Sequence, residues 1–382
     1  MNRLRGQFLT SFRLRRKAFV TTALVHDYLN QYGGAERVLE ALHDLYPAAP
    51  VYTSIYDPQA MPTALQSWDI RTSAIQHFPA WRRYFRHYFM FYPRAFESFD
   101  MRRYRLIISS SSAYAKGIIP PPGATHICYC HTPMRFAWQT DQYIARENIT
   151  GIKRAVMQPL LGTLRDWDVR SADRVTHYIA NSNVVAQRIS LHYGRTATVI
   201  PPPVDLAPYT PRPAGDYFLT GGRLVPYKRL DLAIRACTAA GVPLVVFGDG
   251  RDRAELEALA GPTIRFVGRI SEAERLELFA GCKAFLFPGE EDFGITPLEA
   301  MAAGRPVVAY HGGGALDTVI DGQTGLFFPI QTVEALRHAI GRVDQIPWDA
   351  AAIRAHAEYY GRDRFVARMR DFIANHHEDL HG

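Results

Sequence analysis

The chain of 382 residues is poor in the features that would take it away from an ordinary globular protein. It has only four cysteines, Cys128, Cys130, Cys237 and Cys282, with no Cys-x-x-Cys and no paired zinc spacing. That excludes a disulfide framework and fits a reducing cytoplasm. No run of about 18 uncharged apolar residues occurs, which excludes a transmembrane helix. The apolar stretch after Lys17 is broken by His26 and Asp27 with no cleavage-like site following, so it is not read as a signal peptide. Neither sign of charge dominates: 44 basic residues face 37 acidic ones, a net charge of +7. This modest excess points to an anionic partner, whether nucleotide, membrane surface or nucleic acid. At 47% hydrophobic and 21% charged the composition is that of a globular protein, and the length exceeds what one core usually supports.

Residues 1–18 stand apart. Arg3, Arg5, Arg13, Arg15, Arg16 and Lys17 are unrelieved by any acid, and Leu4, Phe8 and Phe12 fall on one helical stripe. The segment reads as a basic extension, either an amphipathic membrane contact or a disordered tail. The body follows as two α/β halves. Residues 19–200 begin with a strand at Phe19–Val25, a loop carrying Gly33 and Gly34, and a helix from Ala35 to Tyr46. Further strands are expected at Arg105–Ser109, Thr125–Tyr129 and His177–Ala180. The Pro-rich stretch 201–213 reads as a linker. Residues 214–350 restart the pattern with strands at Tyr217–Thr220, Pro243–Phe247, Thr263–Val267, Ala284–Phe287 and Pro306–Ala309. Strand and helix alternating at this spacing imply parallel sheets with right-handed crossovers, and two such halves enclose a cleft. Residues 351–382 read as terminal helices.

The stretch FPGEEDFGITPLEAMAAG, Phe287 to Gly304, organises the rest. Its glutamates Glu291 and Glu299 have seven residues between them. Thr296 reads as a helix N-cap, Pro297 as the first helical residue and Glu299 as the third, the pattern of a capping box. Each glutamate can be read as a structural cap or as a ligand contact. The loop after Thr220 adds Arg223 and Lys228, two cations suited to a pyrophosphate, though also to a solvated surface. HGGGALD after Tyr310 offers Gly312, Gly313 and Gly314 as unhindered backbone donors to an anion. In the first half, His131 follows a strand end, and Gly33 and Gly34 can bring backbone N–H groups to a phosphate. Asp166 and Asp168 lie in a helical pattern and read as ion-pairing residues, not metal ligands.

Residues 78–105 interleave eleven Phe, Trp and Tyr rings with seven arginines, among them Arg82, Arg83 and Arg86. Contact with a membrane or a lipid-linked substrate is the first reading, a core of rings under solvated arginines the second, and single-stranded nucleic acid the last.

These motifs carry a resemblance. FPGEEDFGITPLEAMAAGRPVVAY, TGGRLVPYKRLDLAIRA, VFGDG and GGALDTVIDGQTGLFF resemble the retaining glycosyltransferases of family 4, which have the GT-B fold. LVHDYLNQYGGAERVLEAL, YRLIISSSSAYAKG, HICYCHTPMRFAW, RDWDVRSAD and IANSNVVAQRI are similar to bacterial GDP-mannose-dependent mannosyltransferases of O-antigen and exopolysaccharide assembly. The resemblance implies two Rossmann-like domains facing across a cleft, the terminal helices crossing back to the first domain. It implies that Arg223 and Lys228 hold the donor pyrophosphate, Glu299 the ribose, and Glu291 and His131 the transferred sugar. Gly33, Gly34 and the backbone of Gly294, Ile295 and Thr296 would face the donor. Lys116, Arg82, Arg83 and Arg86 are the expected acceptor or membrane contacts. Glu290, directly before Glu291, leaves open which carboxylate reaches the sugar. The expected partners are a nucleotide sugar, a lipid-linked saccharide and an anionic membrane surface, with no nucleic acid, no cofactor and no metal. The expected location is the cytoplasmic face of the plasma membrane. GDP-rhamnose or a UDP-sugar as donor, or a sugar-nucleotide epimerase, are the alternative readings.

Overall fold

The computed structural model describes residues 22–140 and 150–377. The expected basic extension 1–18 and the start of the first expected strand lie outside the described residues. Two parallel sheets make up the chain. The first contains β1 (Thr22–His26), β2 (Val51–Thr53), β3 (Ile70–Thr72), β4 (Leu106–Ser111), β5 (Thr125–Cys130), β6 (His177–Ala180) and β7 (Ala197–Val199). Their order is β3-β2-β1-β4-β5-β6-β7. The second contains β8 (Phe218–Arg223), β9 (Leu244–Asp249), β10 (Ile264–Gly268), β11 (Ala284–Phe287), β12 (Val307–Tyr310) and β13 (Gly325–Phe328), ordered β10-β9-β8-β11-β12-β13. Runs such as Ala284–Phe287 are buried throughout, as expected of strands covered by helices on both faces. β2, β3 and β7 have three residues each and β13 four, too short for a hydrophobic period to show in the sequence.

Both sheets reverse their order at an inner strand pair, β1 beside β4 and β8 beside β11. Loops leaving the C-terminal ends of such a pair diverge and open a crevice, the place where an open α/β sheet binds ligands. Two connections join the halves. The linker passes alongside the returning chain, with the Val204 N–H donating to the Tyr360 carbonyl at 3.1 Å. Beyond that point helix Arg362–His376 lies on the first half, where Phe365, Met369, Phe372 and Ile373 share a core with Leu39 and Tyr129. Arg362 pairs with Asp44 there at 2.5 Å. No helix among the described residues is long and apolar enough to cross a membrane.

Candidate active site

The second half's rim is built by the loop after β11. Gly294 has φ 86° and serves as the N-cap of helix Ile295–Ala302. A Cβ at Gly294 would stand 2.8 Å from the Phe287 ring, so close approach as well as backbone conformation requires glycine here. The helix starts at Ile295, and no side chain caps it. The capping box expected of Thr296 and Glu299 is therefore absent. Glu299 lies one turn further in, 2% exposed, paired with Arg275 and, at 3.6 Å, with Arg37 from the first half.

Lys228 and Glu291 meet at the β8/β11 switch point. The ammonium Nζ lies 2.5 Å from Glu291 Oε1. Glu290 instead is exposed, lines the cleft and lies 3.9 Å from Arg188. Arg223 is the last residue of β8, not part of the loop; it is exposed and donates to the Tyr227 hydroxyl at 3.3 Å. Two of the three N–H groups of the triple glycine after β12, expected to be free donors, are taken up within the protein. The Gly314 N–H donates to the Glu291 carbonyl and that of Gly312 to Tyr310, both at 2.8 Å. A Cβ at Gly313 would stand 2.4 Å from the Glu291 carbonyl oxygen. These glycines let one loop lie against the Glu291 loop and hold its position.

The opposing wall comes from the ends of β1, β4 and β5. Asp27 is 3% exposed and accepts from the backbone N–H groups of Ser112, Ala113, Tyr114 and Ala115 at 2.5–3.0 Å. It thereby shapes the loop after β4. His131 Nε2 lies 2.8 Å from Ser110 Oγ, which lies 3.1 Å from His26 Nδ1. His26 Nε2 in turn faces Glu36 at 3.5 Å. Burial and the nearby His26 hold the His131 imidazole down at about 3, so it is neutral at physiological pH.

Lys116, expected as an acceptor or membrane contact, is turned into the protein interior. It is 2% exposed, and its ammonium pairs with the buried Asp168 and donates to Ser171 Oγ at 2.9 Å. Its chain is drawn inward because the Asp168 carboxylate, in the helix Gly151–Ala172, is the available countercharge. The aromatic-basic segment divides. Trp81, Tyr92, Phe96 and Tyr104 belong to the core, as the second reading of that segment anticipated, while Phe91 and Tyr84 are exposed. Arg83 and Arg86 line the cleft; Arg82 is turned onto Asp57 at 2.9 Å.

Across the cleft the halves touch. A Cβ on Gly34 would lie 2.8 Å from Ile295 Cδ1, so this glycine admits the opposite rim. Asp292 pairs with both Arg135 and Arg188, and Asp317 accepts from the Asn183 backbone at 2.7 Å and side chain at 2.9 Å. Between them remains a cavity of about 1010 Å³ lined from one side by Tyr28, Arg86 and Tyr114 and from the other by Tyr227, Arg229 and Glu290. Asp27, Ser110, Asp292 and Arg188 were not singled out in the sequence. A polar residue ending an otherwise apolar strand would have flagged the first two; nothing local flags the pairs that span the halves.

Two family models match the chain in succession: Glycosyltransferase Family 4 over residues 32–208 and Glycosyl transferases group 1 over residues 209–364. The chain belongs to glycosyltransferase family 4. Among this family 4 member's relatives is a GDP-mannose-dependent alpha-mannosyltransferase of Mycobacterium tuberculosis, 39% identical over 167 residues, 42% of each chain. The D-rhamnosyltransferase WbpZ of Pseudomonas aeruginosa is 28% identical over 240 residues, 56% of this chain and 61% of its own. The matched stretches thus span about two fifths to three fifths of these relatives. The crystal structure of Anabaena Alr3699/HepE in complex with UDP shares the fold with a TM-score of 0.68 at 18% identity, covering 93% of this chain and all of that one. The expected GT-B architecture is the one observed.

Proposed function

We propose that the protein transfers an α-mannosyl group from GDP-mannose, with retention of configuration, to a saccharide carried on a lipid at the inner face of the plasma membrane. The observation that carries this reading is the Lys228–Glu291 pair at the β8/β11 switch point, beside a cavity that receives arginines from both halves. Lys228 and Arg223 would neutralise the donor pyrophosphate, the work Mg²⁺ does elsewhere. Glu291 orients the ammonium and meets the sugar. Glu299 binds the ribose by exchanging Arg37, the more distant of its two guanidiniums, for hydroxyls. The bond from C1 to the phosphate oxygen breaks while the acceptor oxygen bonds C1 on the same face, and the leaving phosphate takes the acceptor proton. The exposed Phe91 and Tyr84 beside Arg83 and Arg86 supply a surface for lipid headgroups.

GDP-mannose is favoured by the mannosyltransferase relative; the rhamnosyltransferase relative supports GDP-rhamnose as the second donor. A thermal-shift comparison of GDP with UDP reads the base. A donor-by-acceptor assay with the anomer determined by NMR reads the reaction; turnover of UDP-sugars alone, or an inverted product, overturns the proposal. Transfer is expected to survive EDTA.

A further inference from the structure

The polar chain behind His131 has a consequence beyond holding the ring. Four side chains run in line: Glu36, His26, Ser110 and His131, with spacings of 3.5, 3.1 and 2.8 Å. Glu36, His26 and Ser110 are 5%, 2% and 0% exposed, so no bulk water competes for their protons. Only His131, next in sequence to the cleft-lining Thr132, is half-buried. Among the described residues, no protein group bonds its Nδ1.

The direction of each proton follows from its neighbour. A carboxylate can only accept, so Glu36 calls for N–H on His26 Nε2. With His26 as a neutral imidazole its other nitrogen is an acceptor, and Ser110 then donates its single hydroxyl proton to His26 Nδ1. The Ser110 oxygen is left to accept, and the remaining donor is His131 Nε2–H. His131 Nδ1 is therefore bare. We infer that Glu36, His26 and Ser110 are positioning residues that fix the tautomer of His131, so that it presents a hydrogen-bond acceptor, and not a donor, to the cleft. The group it selects is a hydroxyl able to donate. This rests on the proposed reading in one respect only, that the hydroxyl belongs to the transferred sugar. The asymmetry is specific: a hydroxyl that loses a well-placed acceptor is left unpaired in the closed site, which is how a polar site discriminates between a substrate and its deoxy analogue.

The test uses the full chain with ¹⁵N-labelled histidine at pH 8, reading two-bond ¹⁵N–¹H correlations, with His131→Gln to assign the signal. The expected spectrum shows His131 protonated at Nε2 and bare at Nδ1. In Ser110→Ala the single-tautomer pattern is lost, and Ser110→Thr, which keeps the hydroxyl, restores it. A wild-type His131 protonated at Nδ1, or a Ser110→Ala variant with the wild-type pattern, overturns the inference. Should Ser110→Ala fold poorly, the wild-type and Ser110→Thr spectra still decide it. In transfer assays Ser110→Ala is expected to lower kcat/KM for the donor about tenfold, with Ser110→Thr recovering most of it, the loss of one hydrogen bond. An unchanged kcat/KM beside the expected spectra overturns the sugar contact. Wild-type protein that turns over no sugar nucleotide overturns the proposed function instead, and the spectrum still decides the tautomer.

Discussion

Two lysine–carboxylate pairs in this molecule are chemically alike and sit in opposite surroundings. Lys116 and Asp168 are 2% and 0% exposed at their side chains, under the rings of Trp167 and Tyr193. Lys228 and Glu291 are 11% and 19% exposed, at the mouth of the crevice beside β8 and β11. Asp168 accepts also from Trp138 Nε1 and the Tyr193 hydroxyl, both at 2.8 Å, so its lone pairs are taken up by the fold. A sealed pair cannot exchange a partner for a ligand without leaving a charge unsolvated. A pair that water already reaches can. Burial, not residue type, separates the structural lysine from the candidate catalytic one.

The sealed pair is the more sensitive of the two to substitution. Lys116→Met leaves Asp168 buried without its countercharge and is expected to cost about 3–5 kcal/mol in denaturant unfolding. A loss under 1 kcal/mol would show that the pair is dispensable and the distinction unfounded. Lys228→Ala is expected to do the reverse, lowering transfer about 10²–10³-fold while unfolding shifts by no more than about 1 kcal/mol. Near wild-type transfer removes Lys228 from the mechanism.

Burial governs a histidine of the first half in the same way as Lys116. His126 is fully buried, with Nδ1 donating to the Arg174 carbonyl and Nε2 accepting from Ser109, and burial pulls its imidazole down to about 4. Because the folded value lies below the ordinary one, the unfolded chain takes the proton first as pH falls. Stability is complete above about pH 6.5 and is lost toward pH 4, about 2 kcal/mol of it between pH 6.5 and 5. His126→Gln should flatten that part of the unfolding profile; an unchanged slope would assign it to other groups. Asp292→Asn weakens the clamp to Arg135 and Arg188, and is expected to raise the donor KM severalfold and to expand the molecule in small-angle scattering, at about 1 kcal/mol. The smallest effect is expected of Arg82→Ala, whose pairing with Asp57 is largely exposed: about 0.5 kcal/mol or less, with transfer unchanged.

The alternation of strands and helices, the Pro-rich join between halves and the Glu291–Glu299 spacing could be read from the residues, because each is a local pattern whose meaning survives without knowing its neighbours. Even there the helix start was misplaced: Thr296 and Glu299 satisfy a capping rule, yet the ring of Phe287 and the left-handed Gly294 begin the helix earlier. The roles of Lys116 and the rings of 81–104 were decided by the fold, since an amphipathic pattern does not say which face another element will cover. The same holds for Gly313 and Gly314, whose nearest neighbours, Glu291 and Phe293, stand some twenty residues earlier in the chain. The clamp on Asp292, the wire from Glu36 to His131 and the seat of Gly34 on Ile295 join residues 10 to 261 positions apart. Chain order alone determined which residue types stand at the strand ends. Only the packing of two sheets, with their reversals facing each other, decided which of them meet, because charge pairing and close approach depend on distance through space and not along the chain.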